Sequence, residues 1–567
     1  MCLLIGTVLL LVFASTTLAV EERPLITTKL GSVRGAWQTS AGGRRYAAFM
    51  AVPYAKPPVG ALRFEPPEPI DSWDGEWDAG QLPSPCMCYS QLFGPEDTQR
   101  IKGQEDCLYL NIYTPKFKSK EILPVLVYIH GGAFMFGGSD SYGAKYMMDR
   151  DVIFVTINYR LGPLGFLSLE DDVQPGNNGM RDQVAALEWV QRHIAEFGGD
   201  PQQVTIIGVS AGGASVHYHY LSPLSKGLFQ RGISMSGTAL SRWALADGAR
   251  QKALQLAASV GCPTDQGSQR LMKCLKSRPS ERILMHVEQF QVWQYSPFSP
   301  FAPVVERPNQ SIPAFLPEAP SSALARGAIQ RLPWVTGVTS AEGLYPVAAF
   351  IACESELERL DQEFNFLVPH LLHFNFTVKP GTQDKVAQLV RKEYFGDKPV
   401  NDATVPQVIK MASDRLFMMD SQRSAELQSR HSPVYFYLFD YRGATSLSDL
   451  MSDTTKDFGV SHADDMFYFM NTSYAPVVER TGMDKLIETL EVDLWTNFVA
   501  KGIPEAKSAP KWEPVTPGGD LEFLHIKSVP PAMSKVEDLG NAAFWESLPL
   551  LEEAQSVTQS PSQKREL

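Results

Sequence analysis

The sequence predicts an α/β fold, a large and mostly parallel central sheet flanked by helices. Two near-continuous apolar runs, Leu123-Pro-Val-Leu-Val-Tyr-Ile129 and Val152-Ile-Phe-Val-Thr-Ile-Asn158, have the character of strands buried on both faces. An amphipathic stretch separates the second run from a third, Val204-Thr-Ile-Ile207. Strand, crossover helix, strand is the chain order of a parallel sheet.

The elements follow in order. Met1 to Ala19 carries an apolar run, Leu3 to Phe13, and then small residues at Thr17 and Ala19, which reads as a signal peptide cleaved before Val20. Gln183 to Phe197 places Val184, Leu187, Val190, His193, Ile194 and Phe197 on one helical stripe and stops at Gly198-Gly199. Later strands are expected at Trp334–Val338 and Val434–Asp440. Neither an internal repeat nor a low-complexity linker divides residues 20–550, so one domain is expected, followed by a polar tail over 551–567.

The 567 residues are 44% hydrophobic and 20% charged, enough apolar material for a large core. A formal net charge of -12 argues against nucleic acid or an anionic membrane as partner. No segment has the length and apolarity of a stable membrane span, and the C-terminus lacks the hydrophobic tail of a lipid anchor signal. The final Lys-Arg-Glu-Leu only half resembles an ER-retention signal, so secretion is the expectation. Sequons at Asn309, Asn375 and Asn471 agree with export and mark candidate glycosylation sites.

Chemistry concentrates at Gly208-Val-Ser-Ala-Gly212, between the Val204–Ile207 run and a stretch able to continue as helix. A turn this tight strains its central residue and lifts Ser210 Oγ to the carboxyl edge of the sheet. Side chains at Gly208 and Gly212 would collide with the neighbouring strand and helix. Ester cleavage by a serine needs a base for Oγ, an acid to orient that base, and N–H donors for the oxyanion. His130-Gly-Gly-Ala-Phe134 follows a strand, and its glycines let backbone N–H groups face a ligand; the Ala211 N–H opens the helix after Ser210. Glu342 fits the acid, in the loop Thr339-Ser-Ala-Glu-Gly343 beyond a strand. For the base, the order serine, acid, histidine leaves His370, His373, His431, His462 and His525. His525 reads as a strand residue and His462 lies in a Gly-led loop; the residues alone choose no further.

The chain resembles the type-B carboxylesterase family, α/β-hydrolases that include cholinesterases and insect esterases. The resemblance runs through "GSVRG", "VPYAKPPVGALRF", "EDCLYLNIYTP", "HGGAF", "NYRLGPLGFLSL", "GNNGMRDQVAALEWVQRHIAEFGGDP", "GVSAGGASV", "SMSGTAL", "GVTSAEG", "GVSHADDMFYF" and "WTNFVAKGIP". It implies an α/β-hydrolase fold and a catalytic triad of Ser210, Glu342 and His462. The implied oxyanion donors are Gly132, Ala133 and Ala211, with Trp243 beside the acyl pocket, although a plain core tryptophan is nearly as good a reading. It implies a small-molecule ester substrate and no metal or cofactor, and is silent on oligomeric state. Of the six cysteines left after Cys2 departs with the signal, it pairs Cys86 with Cys107 and Cys262 with Cys274, leaving Cys88 and Cys353 free, the alternative being a third bridge between those two. No tryptophan stands between Cys86 and Cys107, where cholinesterases carry their choline-stacking residue, and Ala133 replaces a glycine common in relatives. The likeness is closest to secreted insect β-esterases acting on general, xenobiotic or odorant esters. The alternatives are a juvenile hormone esterase and a catalytically silent binding or adhesion relative.

Overall fold

The computed structural model describes residues 22–551 apart from 91–99, 308, 310, 380, 453, 455 and 476–479. The segment 1–19, expected to be a signal peptide, and the expected tail from 552 onward lie outside the described residues.

Eleven strands form the central sheet. In chain order they are β1 (Ala36–Thr39), β2 (Arg45–Pro53), β3 (Tyr109–Thr114), β4 (Leu123–Ile129), β5 (Ile153–Ile157), β6 (Gly199–Val209), β7 (Arg231–Met235), β8 (Trp334–Thr339), β9 (Val434–Phe439), β10 (Leu521–Ile526) and β11 (Ala532–Val536). The spatial order is β11-β10-β9-β8-β7-β6-β4-β5-β3-β2-β1. Pairings from β5 across to β10 are parallel, and the sheet becomes antiparallel at both ends. Every residue of β5 and of β8 is buried. That is why these strands read as unbroken apolar runs: helices cover both faces of a parallel sheet.

The crossover helix α1 (Asn178–His193) begins five residues before the expected Gln183. Its first turns carry Arg181 and Asp182, which look like loop residues in sequence but are buried here. Arg160 grips Asp182 with two charge-assisted bonds, Nε to Oδ2 at 2.8 Å and Nη2 to Oδ1 at 2.6 Å, while Arg181 pairs with Glu306. A hydropathy pattern cannot register paired buried charges. Helix α2 (Ala211–Leu221) follows β6 directly, and α3 (Leu344–Ile351) follows the loop beyond β8. Helix α4 (Val405–Ser413) runs through a π-helical turn, Asp414–Met418, into α5 (Met419–Ser429). Helix α6 (Gly482–Lys501) packs near the end of the chain. No helix among the described residues is long and apolar enough to cross a membrane.

The structure joins Cys86 to Cys107 and Cys262 to Cys274. Cys88 is free and buried; Cys353 is free and exposed.

Candidate active site

Ser210 sits between β6 and α2 with φ 61° and ψ −123°, a left-handed conformation that costs an L-residue free energy and is kept where function needs it. Its neighbours explain the two flanking glycines. A Cβ on Gly208 would strike the Gly212 backbone, and a Cβ on Gly212 would strike the Ile129 carbonyl oxygen. Only glycine lets β6, α2 and the end of β4 meet this closely.

The loop after β4 faces the same turn. Gly132 and Ala133 both have positive φ, 107° and 56°. Neither donates its N–H to a backbone carbonyl. The Ala211 N–H, in the first turn of α2, has no intrahelical acceptor. These are the three expected oxyanion donors.

Glu342 and His462 come from distant chain segments and are brought together. An isolated bridge pairs Ala341 with Ser461, and the Ala341 N–H donates to Val460 O at 2.9 Å, tying one loop to the other. Glu342 Oε2 meets His462 Nδ1 at 2.5 Å, and Glu342 Oε1 accepts from the Thr339 N–H at 2.8 Å. Both side chains are buried. A carboxylate on Nδ1 fixes the proton there and leaves Nε2 free to act as base. His462 Nε2 is buried without a hydrogen-bond partner. Ser210 and His462 line one cavity of about 330 Å³, with Gly131 and Gly132 in its wall.

The other candidate histidines are placed elsewhere. His431 Nε2 contacts Leu324 O, His373 stacks edge-on to Phe298, and His370 packs on Phe366. His525 does meet a carboxylate, Asp440 at 3.1 Å, but in a partly exposed position outside the cavity wall. Among the described residues no group of three or more His, Cys, Asp or Glu is placed to hold a metal ion.

Several contributors escaped sequence reading. The ring of Tyr345 lies 5.0 Å from that of His462, and Phe417, from the π-helical turn, lies 4.7 Å from it. Asp464 holds the His462 loop by accepting from Ser461 N, Leu447 N and Ser446 Oγ, each at 2.8 Å. Ser413 Oγ accepts the Gly343 N–H at 2.7 Å and steadies the acid loop. Trp243 is not in the cavity wall: it is buried in an aromatic cluster with Phe134, Phe298 and Phe417, its Nε1 donating to Leu416 O at 2.9 Å. A second cavity of about 500 Å³, bounded by Ser340, Lys410 and Asp414, contains none of the candidate catalytic side chains.

Comparison with known proteins decides the family. The model of the Carboxylesterase family matches residues 22–545. The chain belongs to the carboxylesterase family. It is 40% identical over 538 residues to venom carboxylesterase-6 of Apis mellifera, covering 94% of this chain and 95% of that one. It is 36% identical over 560 residues to the juvenile hormone esterase of Tribolium castaneum, covering 94% and 95%. The crystal structure of juvenile hormone esterase from Manduca sexta, with OTFP covalently attached, superposes with a TM-score of 0.81 at 30% identity, covering 93% of this chain and 99% of that one. The fold is therefore that of the α/β-hydrolases, and this carboxylesterase-family chain is a carboxylic-ester hydrolase. The juvenile hormone reading gains no preference over general ester hydrolysis from these likenesses.

Proposed function

We propose that the chain hydrolyses small-molecule carboxylic esters through an acyl-serine intermediate on Ser210. The observation that carries the reading is the Glu342–His462 contact at the cavity that Ser210 lines. Ser210 Oγ attacks the ester carbonyl while His462 Nε2 takes its proton, and Glu342 orients the imidazole and stabilises its charged form. The N–H groups of Gly132, Ala133 and Ala211 receive the oxyanion. His462 then gives the proton to the departing alcohol, and water attacks the acyl-enzyme by the same route in reverse. The covalently attached OTFP in the Manduca sexta structure is in keeping with a nucleophile in this fold.

The acyl group this site takes is small. Trp243 approaches the nucleophile turn: a Cβ on Gly237 would touch Ser210 O and lie 3.2 Å from the Trp243 ring. Phe298 and Phe417 close the remaining space around that ring, at 5.9 Å and 5.7 Å between centroids. With this cluster filled by its own side chains beside Ser210, a short acyl group is favoured, and the alcohol extends into the open cavity.

The polypeptide is read as a single domain over 20–550, secreted and glycosylated. Supporting this are the N-terminal apolar segment and the sequons. Asn309, Asn375 and Asn471 all lie partly exposed; Asn309 Nδ2 donates to Asp172 O at 3.1 Å, and Asn471 Oδ1 accepts the Lys145 N–H at 3.0 Å. The test is turnover of an acetate ester by Ser210→Ala. A loss of several orders of magnitude with secretion and folding intact is expected, and retained turnover rejects Ser210 as nucleophile.

A further inference from the structure

In the mechanism above, on which this inference rests, the leaving oxygen must face His462 Nε2 to receive its proton. The alcohol is therefore placed on the His462 side of the cavity, whose wall also includes the neighbouring Ala463, Met466 and Phe467. The same cavity is lined by Cys88, Ser90, Lys102 and Asp140. Asp140 is half-buried, and its Oδ1 is buried with no hydrogen-bond partner among the described residues. Buried carboxylate oxygens are ordinarily satisfied, and an orphan in a ligand cavity marks an acceptor waiting for a donor from the ligand. Burial raises the Asp140 pKa, offset only in part by a backbone N–H of Asp140 itself.

The same wall says which donor. Cys88 pairs with Lys102 across a short antiparallel ladder; burial pushes its thiol up to about 12, with smaller opposed contributions from Lys102, which lowers it, and Asp140, which raises it. Cys88 thus stays a neutral thiol, and one cation and one anion flank it. A cationic substrate would meet Lys102 as well as Asp140, whereas a neutral hydroxyl gains the hydrogen bond without that repulsion.

We propose that Asp140 is a specificity-determining residue that accepts a hydrogen bond from a hydroxyl on the alcohol portion of the ester. Preferred substrates are then monoesters of diols or of otherwise hydroxylated alcohols with a short acyl group.

The test is kcat/KM for a series of diol monoacetates of two to six carbons, each paired with the methyl-terminated acetate of equal length. A trimethylammonium-terminated acetate supplies charge without a donor. The wild type is expected to favour the hydroxylated member by about tenfold or more at one chain length, since a site built to bond a hydroxyl discriminates against the analogue lacking it. Asp140→Leu should bring that ratio to about one, and Asp140→Asn, which keeps an acceptor oxygen, should retain part of it. The ratio is internal to each variant, so a general loss of activity does not mimic the effect. Three results would overturn the proposal: no hydroxyl preference at any length, a preference surviving in Asp140→Leu, or an equal gain for the trimethylammonium ester. Turnover of methyl-terminated acetates without hydroxyl preference removes the role of Asp140 and leaves the triad standing; failure to turn over any acetate removes the catalytic reading as well.

Discussion

Phe417→Ala should turn a short-acyl esterase into one that accepts longer chains. Phe417 is 1% exposed and touches both the Trp243 cluster and the His462 ring. Removing the ring leaves a void that several methylenes can enter. One methylene well accommodated in such a pocket changes discrimination about 10- to 200-fold, and strain from an imperfect void limits the whole gain to about that of one methylene. With the alcohol held constant, the ratio of kcat/KM for pentanoate over acetate should therefore rise about 10- to 100-fold. The same truncation costs about 3–5 kcal/mol of stability, so thermal unfolding must be followed in parallel to choose a temperature at which the variant is folded. A loss of contact with His462 lowers kcat for all acyl groups and cancels in the ratio. An unchanged ratio in folded Phe417→Ala would refute the placement of the acyl group against this cluster.

Other expectations follow from the same geometry. His462→Ala should match the loss of Ser210→Ala, whereas Glu342→Gln should keep measurable turnover because the imidazole remains but is poorly oriented; steady-state rates on an acetate ester decide, and an essential His373 or His431 would contradict the assignment. Non-reducing peptide mapping should recover Cys86–Cys107 and Cys262–Cys274, with Cys353 alkylated in the native protein and Cys88 only after denaturation; Cys88 joined to Cys107 would contradict it. His217, pushed down to about 3 by burial, should make the fold acid-labile. Between pH 6.5 and 5 the unfolded chain binds a proton there that the native state refuses, so stability is lost as pH falls, by about 2 kcal/mol from this group. Asp464 and Asp465, raised to about 8 and about 6 chiefly by burial, titrate in the opposite direction. The measurement is therefore a difference: denaturant unfolding of wild type against His217→Gln at the two pH values, with equal pH dependence as the contradicting result.

The parallel centre of the sheet was legible because β4, β5, β8 and β9 are buried runs of β-branched and aromatic residues. The outer strands β1, β2, β10 and β11 close as antiparallel hairpins, β1 with β2 and β10 with β11, and carry charges such as Arg45, Glu522 and Lys535; apart from the alternation at Leu521–Ile526 they lack the unbroken β-branched and aromatic run that marks the centre. The nucleophile turn was legible for a steric reason, since its glycines answer to backbone contacts at Gly212 and Ile129. Glu342 reads as an ordinary loop acid, and only its meeting with His462, 120 residues on, shows it as buried. Phe417 could not be found, because the extra residue of a π-helical turn leaves no mark in a helical pattern running from Val405 to Ser429. Asp140 had no signal either: its significance lies in an oxygen without a donor.

In the proposed mechanism Ser210 Oγ is the nucleophile that carries the acyl group. Treating the folded protein with a fluorophosphonate and mapping the adduct by peptide mass spectrometry tests it directly. The account predicts stoichiometric modification of the peptide containing Ser210, loss of esterase activity in step with labelling, and no adduct in Ser210→Ala. An adduct on another residue, or full activity retained by a protein labelled at Ser210, would contradict it.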